Sequence, residues 1–291
     1  MAPPVILIGS AGALGQELSS QFQAAGVPVY GLSRSNFDIG LSLPRLVELF
    51  QKMGARAVVN CLAMTGLDKC FREQPQAFEA NGLFPNKLAM ACKILNLAVI
   101  QISTENVFSC NINELTYRED DKTLPTTVYG FSKLLGEAHG MRDSAPFYVI
   151  RFPLLYGPTH RRQIVARMIK EVLRGNEVSV ASDVYSTPVY TPDAASFIVN
   201  GVIGETKFAA LTHLTSGHRI SLHDLICIIA KGIDAKGKIQ PTLSSRFPSL
   251  ETKPLHGGLQ SDVADCLPWE GAVTRYVDWI KTNQKVIIDE N

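Results

Sequence analysis

Val5-Ile6-Leu7-Ile8-Gly9-Ser10-Ala11-Gly12-Ala13-Leu14-Gly15 is an apolar run that ends on the first of three glycines spaced three apart. Four apolar residues closed by a glycine read as a buried strand. The residues that follow take up a helical spacing through Leu18, Phe22 and Ala25. Gly9 makes the tight turn, Gly12 lets the backbone approach a pyrophosphate, and Gly15 lets the helix pack closely on the sheet. With Ala11, Ala13 and Leu14 around Gly12, the helix N-terminus offers unpaired N–H groups to phosphate. A glycine triplet alone is only a strand-to-helix turn. A strand before it and a helix after it make dinucleotide binding the expectation.

Working outward, the first half of the chain alternates strand and helix patterns. Val27 to Leu32 reads as a second strand, and Leu46, Leu49, Phe50 and Met53 mark one helix face. Ala57 to Asn60 is a third strand, followed by a long helical run through Ala80, Phe84, Leu88, Ala91 and Leu95. Val99 to Ser103 is a fourth strand. The segment from Ser109 to Thr127, with Glu119, Asp120, Asp121 and Pro125, is too polar for a core element and reads as a surface loop. A helix carrying Tyr129 and Lys133 follows, then a strand from Phe147 to Arg151. This alternation implies an α/β fold, a Rossmann-type doubly wound parallel sheet with helices on both faces.

After Gly157 the pattern changes. A helix through Ile164, Met168 and Val172 leads to short strands near Val178 and Val189, helices near Ala194 and Leu225, and an irregular stretch from Ser244 to Gly258. The expected division is a dinucleotide-binding domain over residues 1–157 and a smaller C-terminal substrate lobe over 158–291, with some segments of the latter returning to the former. Ligands of such sheets bind beyond the carboxyl ends of the strands. Gly9, Asn60 and Thr104 fall at such ends and should line one crevice.

Composition narrows the functional classes. With 291 residues, 46% of them hydrophobic, the chain can bury a sizeable core, and 28 Lys+Arg against 27 Asp+Glu leave a net charge of +1. That balance predicts no nucleic-acid partner. No apolar run approaches the roughly 18 residues of a membrane span, so no membrane partner is expected. Met1-Ala2-Pro3-Pro4 leads directly into the first strand without a signal-peptide pattern, and a cytoplasmic location is expected. Six cysteines, at 61, 70, 92, 110, 227 and 266, form no CxxC pair and read as reduced thiols. His213, His218 and His223 are five apart, a spacing that does not share a helix face, and no metal site is expected.

The chemistry lies further along. Tyr129 and Lys133 are four residues apart at the start of a helix, which puts both side chains on one face. A neighbouring ammonium is expected to lower a phenol's pKa from its ordinary value of about 10. A tuned phenol can give a proton to a carbonyl oxygen or take one from an alcohol. Ser103-Thr104, at the end of the fourth strand, supplies hydroxyls that either satisfy local backbone or bond a substrate carbonyl beside Tyr129.

Taken together, these residues resemble the extended short-chain dehydrogenase/reductase family, and within it the dTDP-4-dehydrorhamnose reductase branch. Gly9 to Gly15 matches its nucleotide fingerprint. Asn60-Cys61-Leu62-Ala63-Met64-Thr65 with Asp68 is similar to that branch's Asn-Ala-Ala-Ala-Tyr-Thr segment and later Asp. Ser103-Thr104-Glu105-Asn106-Val107-Phe108 is similar to its Ser-Thr-Asp-Tyr-Val-Phe. Tyr117, Glu119, Asp121 and Pro125 follow its loop pattern, and Pro188 and Asp193 match a segment of its second lobe. The resemblance implies a catalytic set of Thr104, Tyr129 and Lys133, with Lys133 also holding the nicotinamide ribose. It implies cofactor contacts at Cys61, Leu62, Ala63, Asn81 and Ser103, with Asp38 and Ile39 beside the adenine. It implies a nucleotide-sugar substrate near Thr65, Thr104, Glu105, Asn106, Val107 and Leu154, a homodimer, and at Glu17 a residue linked in some members to magnesium and dimer contacts.

The chain departs from the branch at several positions. Arg151-Phe152-Pro153-Leu154-Leu155-Tyr156-Gly157 stands where Arg-Thr-Ser-Trp-Val-Tyr-Gly is usual, so Leu154 replaces a Trp expected near the sugar. Lys253-Pro254 replaces Arg-Pro, and Gln260 replaces an Asp. The Arg-x-Pro-x-Leu-Tyr-Gly pattern is similar to the regulatory beta subunit of methionine adenosyltransferase, which binds NADP and a catalytic partner. Thr104-Glu105-Asn106 lacks the acid pair of the 4,6-dehydratases, whereas a 4-epimerase would keep the same Tyr and Lys. An NADPH-dependent ketosugar reductase, an NADP-binding regulatory subunit and a nucleotide-sugar 4-epimerase therefore all stand as readings. For the cofactor, the second strand ends in Leu32-Ser33-Arg34-Ser35 with no carboxylate to bond ribose hydroxyls. Ser33 and the Arg34 fork suit a 2′-phosphate, which favours NADPH over NADH.

Overall fold

A computed structural model describes residues 2–109, 116–142, 146–159, 163–204, 206–252 and 254–289. Cys110 and Lys253, both singled out in the sequence, lie outside the described residues, as does the stretch 110–115 of the polar loop.

The opening motif forms β1 (Val5–Ile8) and α1 (Ala13–Ala24). Then come β2 (Val29–Leu32), α2 (Leu43–Met53) and β3 (Ala57–Asn60). Two short helices, α3 (Leu67–Arg72) and α4 (Gln74–Phe78), precede α5 (Phe84–Leu95). β4 (Ala98–Thr104), α6 (Val128–Arg142) and β5 (Phe147–Phe152) complete the first half. All five strands are parallel. A sixth, β10 (Leu211–His213), joins them from far downstream, giving the order β10-β5-β4-β3-β1-β2. The order reverses between β1 and β3, the switch point at which such sheets open a crevice.

The central strands β1 and β3 are buried along their whole length, whereas the edge strand β2 leaves Tyr30 exposed. Val5 and Leu7 pack with Leu18 and Phe22 of α1, and Ile6 and Ile8 pack with Leu46, Phe50, Phe84 and Leu88 on the other side. That is why the parallel strands read as unbroken apolar runs. The first of these layers also takes Ala194, Ala195 and Ile198 of α8 (Thr191–Ile203), so α8 and β10, both beyond residue 157, pack with the nucleotide-type fold.

Two local departures from the sequence reading have physical causes. The second strand begins at Val29, not Val27, because Gly26 adopts φ +71° and the Val27 N–H bonds Phe22 O at 2.9 Å. Val27 thus closes the C-terminal turn of α1. The helical run through Ala80 is not continuous, since Glu79–Leu83 forms a π turn before α5. Pro85 has no N–H for the Asn81 carbonyl, so the α-helical ladder is interrupted there. That same carbonyl faces Gly136 of α6, where a Cβ would collide with it.

The remaining elements form a second cluster. They are β6 (Leu155–Tyr156), α7 (Ile164–Leu173), β7 (Val178–Ala181), β8 (Tyr185–Ser186), β9 (Val189–Tyr190), β11 (Ile220–Ser221), α9 (Leu222–Gly232), β12 (Ile239–Thr242) and α10 (Trp269–Asp289). Their core joins Tyr156, Val165, Ile169, Leu225, Ile229, Tyr276 and Ile280. No described helix is long and apolar enough to cross a membrane.

Candidate active site

Gly9 sits at φ +82°, and a Cβ there would lie 2.7 Å from Leu62 N. A side chain at Gly15 would run into Gly9 O. Only glycine fits either position, and both lie behind the crevice as framework. Ala11, Gly12, Ala13 and Leu14 form its wall. No side chain caps α1, so its first N–H groups are left for a ligand. An anionic pyrophosphate fits this cradle.

The crevice encloses about 1900 Å³ between the sheet's carboxyl edge and the second cluster. A single small-molecule site takes roughly 300–1,000 Å³, so this one has room for a dinucleotide and a second ligand. Arg34 is exposed on its wall, and no carboxylate stands at the end of β2. Ser33 is turned to its neighbours, its Oγ 2.8 Å from Ser35 Oγ and its N–H bonded to Asn36 Oδ1 at 2.7 Å. Asp38 Oδ1 accepts the Gly40 N–H at 2.8 Å, and Lys87 Nζ donates to the carbonyls of Ile39 and Leu41 at 2.7 and 2.8 Å. Cys61 and Ala63 line the wall. Leu62 directs its N–H to Asn60 Oδ1 at 3.2 Å.

At the centre, β4 and α6 meet. Thr104 Oγ1 accepts from Asn106 Nδ2 at 3.0 Å and from Asn106 N at 3.3 Å. With its acceptor sites occupied, the Thr104 hydroxyl has its proton free to donate. It faces Tyr129 and favours the phenolate, but burial is the larger effect and pushes Tyr129 up to about 12. This reverses the sequence expectation of a lowered phenol. Lys133 is not among the groups acting on Tyr129. Its Nζ donates to Ile102 O at 2.5 Å. Burial also pulls Lys133 down to about 8, against the charge of Glu137, which raises it.

Thr65, Glu105, Asn106 and Leu154 also line the crevice. Burial holds the Glu105 carboxyl up at about 7, against hydrogen bonds from Ser186 Oγ (2.9 Å) and the Gly258 backbone. Two residues expected as ligand contacts are enclosed in this structure. Val107 is fully buried with Phe108, Tyr117 and Leu259, so it has no surface to offer a ligand. Asn81 is 1% exposed and fully engaged, its Oδ1 taking Met64 N at 2.8 Å and its Nδ2 giving to Met64 O and Ser132 Oγ at 2.9 Å each. It braces the Met64 segment against α6. Ser103 borders the crevice, but its hydroxyl is donated inward to Glu137. Glu17 Oε1 accepts from Gln21 Nε2 at 2.8 Å, and no cluster of metal-ligating side chains occurs among the described residues.

Sequence reasoning missed wall residues from the second cluster, among them Gln163, Arg167, Ser186 and Phe247. They belong to no motif, and only the closure of that cluster over the strand ends brings them in. The family-pattern residues have structural partners. Pro125 packs against Gly130, Glu119 accepts from His213 N at 2.8 Å, and Asp193 pairs with Arg275.

Known proteins resemble the chain along most of its length. A family model described as the RmlD substrate binding domain matches residues 3–280. The chain is 27% identical over 288 residues to a dTDP-4-dehydrorhamnose reductase of Mycolicibacterium smegmatis, covering 99% of this chain and 86% of that protein. It is 34% identical over 221 residues to a dTDP-4-dehydrorhamnose reductase of Streptomyces griseus, covering 74% and 71% respectively. The crystal structure of a dTDP-4-dehydrorhamnose reductase from Clostridium acetobutylicum superposes with a TM-score of 0.86 at 25% identity, over 96% of this chain and 99% of that one. One from Bacillus anthracis, crystallised in complex with NADP, superposes with a TM-score of 0.87 at 21% identity, over 96% and 100%. With a glycine cradle, a Thr–Tyr–Lys constellation and a family match along almost its whole length, the chain belongs to the RmlD substrate-binding-domain family.

Proposed function

We propose that the protein is an NADPH-dependent reductase of a nucleotide-linked 4-keto-6-deoxysugar, of the dTDP-4-dehydrorhamnose reductase type. The observation that carries this reading is the meeting of Thr104, Tyr129 and Lys133 in the crevice that the glycine turn opens. The names of the relatives support it. Ala11 to Leu14 would hold the cofactor's pyrophosphate, Arg34 its 2′-phosphate and Lys133 its nicotinamide ribose. Bound NADPH would supply the hydride for C4 of the sugar.

The chain's own residues do the rest. Tyr129, with its pKa near 12, keeps its proton at neutral pH and is ready to donate. As the carbonyl oxygen gains negative charge it becomes a stronger base than a phenolate, and the proton moves from Tyr129 to it. Asn106 holds Thr104 as a second donor to the same oxygen. Donors aimed at charge that exists only in the transition state lower the barrier. Glu105-Asn106, in place of an acid pair, favours reduction over dehydration. A homodimer is part of the proposal, supported by exposed Met90 and Ile94 on α5 and Phe131 on the adjoining α6. So is a cytoplasmic location, which suits the five described cysteines, all unpaired.

The test is NADPH oxidation against a panel of nucleotide 4-ketosugars, with light scattering for the dimer. Turnover of at least one ketosugar is expected. Tight NADP binding without turnover, together with binding of a methionine adenosyltransferase catalytic subunit, would replace this reading with that of a regulatory subunit.

A further inference from the structure

We propose that Glu137 is a positioning residue for Lys133, held by a polar row that crosses three strands of the sheet beneath α6. The kinetic part of this inference rests on the reductase reading above. Ser103 of β4 is the register partner of Arg151 of β5, and Arg151 is the register partner of His213 of β10. Residues directly opposite on neighbouring strands share a face of the sheet. All three are buried, as is Glu137.

The hydrogen bonds of this row converge on one carboxylate. Arg151 Nε lies 3.1 Å from Glu137 Oε1 and 3.2 Å from Oε2, and Arg151 Nη2 lies 2.7 Å from Oε2. The Ser103 hydroxyl donates to Oε1 as well. Arg151 Nη1 turns the other way and meets His213 Nε2 at 3.2 Å. His213 Nδ1 lies between two carbonyls, Tyr117 O at 3.1 Å and Gln260 O at 3.0 Å. Two acceptors there require the hydrogen on Nδ1, which leaves the Nε2 lone pair for Arg151. Burial and the Arg151 charge keep this imidazole neutral by lowering its pKa. The row therefore holds one anion, one cation and one neutral ring, with the anion on the catalytic helix itself.

Tyr129, Lys133 and Glu137 are spaced by four on one face of α6. They meet three consecutive residues of β4: Tyr129 faces Thr104, Lys133 bonds Ile102 O, and Glu137 takes the Ser103 hydroxyl. Three successive turns of the helix are thus fixed to one strand end. A buried ion pair is a poor device for stability alone, since apolar replacements of similar volume are often as stable. Its place one turn behind a buried lysine has an electrostatic use, because an opposite charge favours the charged form. The titratable groups acting on Lys133 are Glu137 on its own helix and Cys61 just beyond β3, with Arg151 and His213 behind Glu137; Tyr129 lies one turn before it on the same helix. The Cys61 thiol is pushed up to about 12 by burial and stays uncharged.

The test uses Glu137→Leu combined with Arg151→Met, which removes the pair and leaves no orphan charge. The expected results are a melting temperature lowered only by the partners lost at Ser103 Oγ and His213 Nε2, a kcat lower by roughly a hundredfold, the scale for a small misplacement of reacting groups, and a basic limb of the pH profile moved to lower pH. In the free protein, NMR of isotope-labelled lysine should show the Lys133 midpoint falling. Arg151→Lys keeps the charge but not the two-pronged hold, and should lower kcat several-fold while leaving that midpoint in place. If both variants kept the parent's rate, pH profile and Lys133 midpoint, the row would be packing alone and the inference wrong. If the parent reduced no ketosugar while the midpoint fell as expected in the double variant, positioning would stand and the reductase reading would fail.

Discussion

Replacing Tyr129 by phenylalanine removes one hydroxyl and keeps the ring, and the structure sets the size of each consequence. The hydroxyl's protein neighbour is the Thr104 hydroxyl, which remains bonded to Asn106. Loss of one neutral hydrogen bond costs about 0.5–1.5 kcal/mol, so the fold should survive. Burial holds the phenol at about 12. Releasing its proton to water at pH 7 would therefore cost roughly 7 kcal/mol, five units at about 1.36 kcal/mol each. The phenol gives up its proton only to a stronger base, which hydride addition to the ketone creates. The loss should fall on the hydride step alone, by roughly 10²–10⁴-fold, or about 3–5 kcal/mol of barrier. NADPH affinity should hardly change. Single-turnover NADPH oxidation, a cofactor titration and a melt of the same variant separate the three effects. In the parent, the rate should show no Tyr129 titration between pH 6 and 9. A fall as pH rises through about 8 would belong to Lys133, which loses its positive charge there. A Phe variant with the parent's rate would refute the assignment. So would a donor pKa near 7 that disappears with the hydroxyl.

Other consequences follow from the same geometry. Arg34→Ala should weaken NADPH binding by about 1.5–3 kcal/mol, the worth of a charged hydrogen bond, and leave NADH unchanged; fluorescence titration of both cofactors checks this, and equal affinities in the parent would sink it. Asn81→Ala leaves Met64 N without its partner and removes one of two bonds at both Met64 O and Ser132 Oγ, which keep Cys70 Sγ and Tyr129 O; at about 1–3 kcal/mol for the orphaned buried group the variant should melt lower and turn over more slowly. Glu105 has its folded pKa raised from 4.5 to about 7 by burial. Its stabilising contribution is then complete below the unfolded value and lost as pH rises through about 7. Melts from pH 5 to 9 should show a decline that Glu105→Gln flattens, and parallel curves would contradict the buried acid.

Much of the fold could be read from local pattern because its determinants are local. A strand buried on both faces is a short apolar run, and the Gly9 turn, the Leu46/Phe50 face and the Tyr129/Lys133 spacing each lie within one element. β10 was not legible, because Leu211-Thr212-His213 is three residues long and two of its buried positions are polar. It joins the sheet edge by pairing with β5, which sets His213 opposite Arg151, 62 residues away in sequence. The C-terminal helix was readable in principle, since Val273, Tyr276, Val277 and Ile280 keep one-face spacing and are buried together. Asn81 illustrates the limit for the site. Its family position marked it as a ligand, but Pro85 opens a π turn there and the side chain becomes a brace.

The sign of the Tyr129 shift shows where reasoning from a pair of residues stops. Spacing along a helix puts Lys133 within reach of Tyr129, and from that alone a lowered phenol follows. Sequence does not give the dielectric around the pair or the other acceptors in range. Burial acts on both groups, and it favours whichever form is neutral. It raises the phenol and lowers the ammonium. The nearest acceptor for Lys133 Nζ is not the phenol but the carbonyl of Ile102. A reductase needs a proton donor that stays protonated until hydride arrives, and a buried phenol near 12 meets that need better than an acidified one. Lys133 needs the opposite, a charge kept in a place that disfavours it, and Glu137 on the next turn is the group that opposes its loss. The two halves of the pair thus depend on different surroundings, Tyr129 on burial beside Thr104 and Lys133 on the carboxylate that Arg151 holds.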